Sequence, residues 1–183
     1  MPTVQKLAPI SPEDYLEGEQ HSEIKHEYIS GQVYAMVGAS RNHNQIAGNL
    51  HTALNIHLRD QPCQVFISDV KVRVGEAFYY PDLVVTCDPR ESRDYYCEYP
   101  LLVIEVLSPS TEVRDNLEKR VAYQTLPRLQ EYVLVAQDSR DIRVYRRTSE
   151  GWELETCTEG DTVHLHSVGL SLPVEAIYEK VQW

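Results

Sequence analysis

Two acidic residues stand in segments that could turn them to chemistry. Glu105 lies within Leu101-Leu102-Val103-Ile104-Glu105-Val106-Leu107, a run so apolar that both faces of the strand it forms must be covered. An unpaired carboxylate buried there is strongly unfavourable, so the fold has to supply a cation, strong donors or a raised pKa. A bound metal meets that demand, and so does a buried salt bridge to an arginine. Asp82, in Pro81-Asp82-Leu83-Val84-Val85, stands at the entrance of the preceding strand. The interval between the two acids, 105 − 82 = 23 residues, fits a strand, a loop and a neighbouring strand facing one cavity. Carboxylates held close together resist joint ionisation unless a divalent cation lies between them, as in phosphoryl-transfer enzymes. Oxygen ligands without His or Cys favour Mg²⁺ or Mn²⁺ over zinc. The reaction such a pair suits is phosphodiester hydrolysis, although a P-D dipeptide with a later strand acid also recurs by chance.

Several elements must position these residues. Ser11-Pro12-Glu13-Asp14 supplies a cap, a first-turn proline and first-turn acids, which predicts a helix to about Glu19. The segment 26–37 reads as two short strands turning at Gly31. From Asn42 to Leu58, Ile46, Ala47, Leu50, Ala53, Leu54 and Leu58 keep helical spacing. Strand-like runs follow at 64–74, 83–86 and 101–107. Ser110 can cap a helix from about Thr111 to Gln124, which Pro127 ends. The remainder reads as strands at Tyr132–Ala136, Ile142–Arg147, Trp152–Thr158 and Thr162–Val168 with a short helix near Glu175–Val181. The thirteen residues 88–100, rich in charge and tyrosine, form a long loop of the kind that borders sites.

Length and composition narrow the class. A chain of 183 residues, 42% hydrophobic, suits one domain spanning 1–183. No apolar stretch is long enough to span a membrane, and the N-terminus lacks a signal-peptide pattern, so no membrane partner and a cytoplasmic location are expected. Cys63, Cys87, Cys97 and Cys157 show no metal spacing, and that location disfavours disulfides, so plain buried or half-buried thiols are expected. The net charge of −11 argues against a generic polyanion binder. Arg114, Lys119, Arg120, Arg128, Arg140, Arg143, Arg146 and Arg147 could form a local basic surface, but nearby acids make a balanced solvated face the better reading.

The segments YYPDLVVT (79–86) and LLVIEVLSPST (101–111), followed by Asp115, Lys119 and Tyr123 spaced as D-x-x-x-K-x-x-x-Y, resemble the Uma-two family of endonucleases within the PD-(D/E)XK superfamily. The hairpin at Gly31, the helix after His43, EYVLVAQD (131–138) and GLSLPVEAIY (169–178) follow the family order, so the likeness covers nearly the whole chain. It implies an α/β (α+β), restriction-endonuclease-like core, in which a central mixed β-sheet is flanked by helices and followed by additional C-terminal β-strands. It implies a metal-dependent, cytoplasmic endonuclease acting on DNA with Mg²⁺ or Mn²⁺, and it admits a homodimer. Asp82, Glu105 and the Val106 carbonyl would hold the metal, Lys119 would be the catalytic lysine, and Glu27, as the early acid of the superfamily, would join the metal residues. The superfamily usually places its lysine two residues after the acid, where this chain has Leu107.

Spacing alone reads Lys119 differently. Asp115, Lys119 and Tyr123 share one helix face and Val113, Leu117 and Val121 nearly the opposite one. With the aliphatic stripe packed on the sheet, Lys119 points to solvent, which spacing favours. The resemblance reverses that reading, and Ala122 and Leu126 offer apolar surface along which a lysine stem could reach a cleft. His43, His51 and His57 make no H-E-x-x-H motif and read as capping or surface residues. Tyr95, Tyr96 and Tyr99 could stack on bases, but closing a hydrophobic edge or a dimer contact is the better reading. Two rival functions stand beside the nuclease: an inactive nuclease-fold binding or assembly protein, and a metal-dependent hydrolase of small phosphorylated molecules.

Overall fold

The computed structural model describes residues 9–36, 38–108 and 115–183, the side chains of Asp115 and Asn116 excepted. Helix α1 (Pro12–Glu19) starts where the sequence predicts, with the Ser11 hydroxyl accepting from the Asp14 amide. Strands β1 (His26–Ile29) and β2 (Gln32–Ala35) form the expected hairpin, with Ser30 and Gly31 at φ 50° and 81°. Positive φ at both turn residues matches the twist of the paired strands. A side chain at Gly31 would also run into Pro9, 2.6 Å from the place of its Cβ.

Helix α2 (Arg41–Leu58) buries Ile46, Ala47, Leu50, Leu54 and Leu58. The run 64–74 is not one strand. It divides into β3 (Gln64–Ile67) and β4 (Lys71–Val74), because Ser68 and Asp69 take φ 48° and 64° and steer the chain from one sheet into another. Strands β5 (Ala77–Tyr79), β6 (Leu83–Thr86), β7 (Tyr96–Cys97), β8 (Leu102–Leu107), β9 (Glu131–Ala136), β10 (Ile142–Thr148) and β11 (Gly151–Cys157) follow. The larger sheet has the order β11-β10-β9-β8-β6-β3 and is mixed, with β8 and β9 parallel and its other pairs antiparallel. The second sheet runs β2-β1-β5-β4-β7. At the C-terminal end, β12 (Thr162–Leu165), shorter than the expected 162–168, pairs with β13 (Leu170–Pro173), a strand that the sequence reading does not predict. The last helix is Val174–Ile177, shorter than 175–181.

Strand β8 is buried at every residue, as its composition requires. Leu102, Ile104 and Val106 face α2 in one core, and Val103 and Leu107 face Tyr123, Leu126 and Tyr132 in another. A π-helical turn (Asp115–Lys119) leads into α3 (Arg120–Gln124) on that second side. The predicted cap at Ser110 and the predicted helical residues 111–114, Val113 among them, fall outside the described residues.

Here the expected core stripe is overturned. Leu117 and Val121 are 61% and 56% exposed, while Tyr123 is fully buried and Leu126 nearly so. Tyr123 packs against Tyr79 and Tyr132, and a large aromatic buries more area than either aliphatic gives up. Among the described residues several arginines of the C-terminal half pair with local acids, Arg146 with Glu131 and Glu155 and Arg128 with Asp88, while Arg147 donates to the carbonyls of Gln124, Leu126 and Leu129. No helix among the described residues is long and apolar enough to cross a membrane.

One cysteine expectation fails. Gln64 pairs with Thr86, which brings Cys63 and Cys87 face to face, and they form a disulfide with Cα atoms 4.1 Å apart. Spacing cannot reveal such a bridge, because strand register creates it. Cys97 and Cys157 are buried free thiols, and burial pushes both pKa values up. Iodoacetamide reacts with thiolates, so without reductant the native protein should label at no cysteine, the unfolded chain at the two free ones, and the reduced unfolded chain at all four. Four labels without reductant would exclude the bridge. Cys63→Ser should lower unfolding stability by about 3 kcal/mol, the chain-entropy value for a loop of this length.

Candidate active site

Glu27, His43, Asp82, Glu105, Val106 and Lys119 line one cleft of ≈ 740 Å³. They arrive from β1, the first turn of α2, the residue before β6, strand β8 and the π-turn. Glu105 projects from β8 toward α3, and its carboxylate accepts from Lys119 Nζ at 3.1 Å and from Tyr123 Oη at 3.4 Å. The same amine stands 2.9 Å from Glu27, whose Oε1 also accepts from the Tyr80 amide at 3.1 Å. All three charged side chains are at least nine-tenths buried. The sequence left Glu105 between a metal and an arginine salt bridge; within the chain its counterion is a lysine.

Lys119 therefore points inward, against its reading from spacing. Leaving Glu27 and Glu105 without a cation would cost more than exposing Leu117 and Val121. The lysine also closes the π-turn, and a π-turn carries an extra residue that resets the helical phase and recurs at functional sites.

Asp82 is held differently and is more open. Its backbone carbonyl accepts from the Ser68 amide at 2.8 Å, at the kink where the chain changes sheets. Its carboxylate accepts from the Val106 amide at 2.7 Å through one oxygen and lies 2.7 Å from His43 Nε2 through the other. Pairing between β6 and β8 ends at Leu83 and Ile104, so beyond that point the edge of β8 is free to meet a side chain. In an extended strand the N–H and C=O of one residue leave the same edge, so the Val106 carbonyl belongs to the edge that faces Asp82.

His43 is the residue that sequence reasoning set aside. It follows Ser40, whose hydroxyl accepts from the His43 amide and so caps α2. Capping is thus the role of Ser40, and the His43 ring turns to Asp82. Nothing in the 39 residues separating His43 from Asp82 signals the contact. The loop tyrosines are not in the cleft lining. Tyr96 packs edge-on to Phe78, Tyr99 lies beneath Arg90, and Tyr95 is exposed.

The lining carries five carboxylates, Glu23, Glu27, Asp69, Asp82 and Glu105, against two lysines, Lys25 and Lys119, and so a surplus of negative charge. Among the described residues no three His, Cys, Asp or Glu side chains are grouped as a metal cage. Mg²⁺ needs no such cage, since it keeps several waters and is commonly held by one or two carboxylates. A carboxylate has about four lone-pair sites, and His43 and Val106 take one each at Asp82. The donors that fit a hard divalent cation are the remaining Asp82 positions, Glu105 and the Val106 carbonyl.

The mixed sheet flanked by helices is a restriction-endonuclease-like fold. Its likeness to a solved structure bears this out: a crystal structure described as "a putative nuclease belonging to DUF820", from Anabaena variabilis, aligns with TM-score 0.73 at 20% identity over 93% of this chain and 98% of that one. Residues 12–175 match the Uma2 family, "Putative restriction endonuclease", and the chain belongs to that family. Two uncharacterized proteins of Synechocystis sp. are also similar, one 42% identical over 92% of this chain and 91% of its own length, the other 31% identical over 83% and 89%.

The Lys119 contacts make a direct stability prediction. Lys119→Met strands two buried carboxylates and should cost about 3–5 kcal/mol in urea unfolding. Adding Glu27→Gln and Glu105→Gln to it should return most of that loss. A Lys119→Met protein as stable as the parent would mean the amine does not neutralise this pair.

Proposed function

We propose that this protein is a Mg²⁺- or Mn²⁺-dependent endonuclease that hydrolyses DNA phosphodiester bonds. The observation that carries the reading is the meeting of Asp82 with the Val106 amide beside Glu105, with the Lys119 amine on that same glutamate. Asp82, Glu105 and the Val106 carbonyl would hold the ion. When bound, the ion supplies Lewis-acid polarisation of the phosphate and lowers the pKa of an attacking water. Lys119 orients that water or stabilises the charge growing on the phosphate. Glu27 and Tyr123 act on the lysine side, Glu27 by fixing the amine and Tyr123 by donating to Glu105. Their burial keeps the group in place before substrate arrives, which is where preorganised sites gain rate.

A second reading, a hydrolase of small phosphorylated molecules, is favoured by one feature: the cleft lining adds acids rather than a basic track for a duplex backbone. Salt separates the two, since DNA cleavage should weaken steeply with ionic strength while turnover of a small phosphoester changes little.

Supercoiled plasmid incubated with Mg²⁺ or Mn²⁺ should be nicked, and EDTA should stop the reaction. Asp82→Ala and Glu105→Ala should each lower the rate by on the order of 10²-fold or more, since outer partners of metal ligands alone are worth 10- to 100-fold. Nicking that persists unchanged in both variants would sink the proposal.

A further inference from the structure

We infer that His43 is a positioning residue for Asp82, setting the orientation in which that carboxylate receives a divalent cation; the inference rests on the metal-site reading above. His43 Nε2 lies 2.7 Å from Asp82 Oδ1, and the Val106 amide lies 2.7 Å from Oδ2. Two donors on opposite oxygens fix the plane of a carboxylate that is otherwise 19% exposed and free to turn. Asp82, Glu105 and Val106 all line one cleft, so the orientation of this carboxylate bears directly on what that cleft can hold.

Folding by itself gives no reason for a histidine here. The Ser40 hydroxyl already caps α2. The ring's second nitrogen, Nδ1, is buried with no hydrogen-bonding partner among the described residues, and an orphaned buried nitrogen is a net loss that an apolar ring of the same shape would remove. Asp82 does not need His43 for burial either, because water reaches it. What His43 adds is direction, the service that outer partners perform for metal-bound carboxylates.

The test titrates Mn²⁺ calorimetrically into the full-length chain and two variants. His43→Phe keeps the ring and removes the donor; His43→Gln gives up the ring and keeps an N–H near the position of Nε2. Both should retain the parent's circular dichroism. His43→Phe should bind Mn²⁺ ~10- to 100-fold more weakly, and His43→Gln should recover most of that loss. Plasmid nicking by His43→Phe should return toward the parental rate at saturating Mn²⁺, which makes the defect one of metal affinity. A packing role gives the reverse order, with Phe tolerated and Gln harmful. Parental affinity in His43→Phe, or equal loss in both variants, overturns the role of His43 and leaves the metal site standing. No Mn²⁺ binding by the parent at millimolar ion overturns both together.

Discussion

Burying the Glu105 carboxylate on the innermost strand of the large sheet imposes a condition that elements far apart in sequence combine to meet. The π-turn brings the Lys119 amine, the hairpin of the other sheet brings Glu27 to the far side of that amine, and α3 adds the Tyr123 hydroxyl. The helix exposes two large aliphatic side chains to keep this arrangement. Buried ion groups of this kind rarely add stability over apolar packing. Their usual value is to make a single geometry obligatory.

Asp82 depends on an ending. Strand β6 stops pairing with β8 at Leu83, two residues short of Val106. Continued pairing would claim the Val106 amide for the sheet, and Pro81, which would stand opposite Val106 in that register, has no N–H with which to extend the ladder. The kink at Ser68 and Asp69 and the passage Tyr80-Pro81 carry the chain between sheets at this level, and both touch the site through backbone hydrogen bonds. The cleft is thus the seam between two sheets, and the metal-ligand candidates line the side where the central strands lose their partners.

What the sequence disclosed follows from which forces are local. The α2 stripe, the Ser11 cap, the Gly31 turn and the wholly apolar β8 are set by periodicity and backbone preference, and they stand where the residues indicate. Asp82 and Glu105 were visible because an acid in or beside an apolar strand is conspicuous. Lys119 was named by the family resemblance but not by spacing, because its inward turn answers a demand made by acids on other elements. His43 was hidden for a similar reason, since its partner lies 39 residues away, and the Cys63–Cys87 bridge follows from strand register alone. The division of 64–74 between two sheets turns on two residues with positive φ that neither Ser nor Asp announces.

The β1–β2 hairpin has an uneven hold on the molecule. Strand β2 is a sheet edge with all four residues exposed, while β1 buries Glu27 and Tyr28 on opposite sides. Segments with little buried surface open locally at a small fraction of the global unfolding free energy, and their amides exchange first. Every such opening that reaches β1 withdraws Glu27 and leaves Lys119 with Glu105. Such an opening would remove one negative charge from beside the lysine, so the hold on a surface hairpin would set the electrostatics of the deepest part of the cleft.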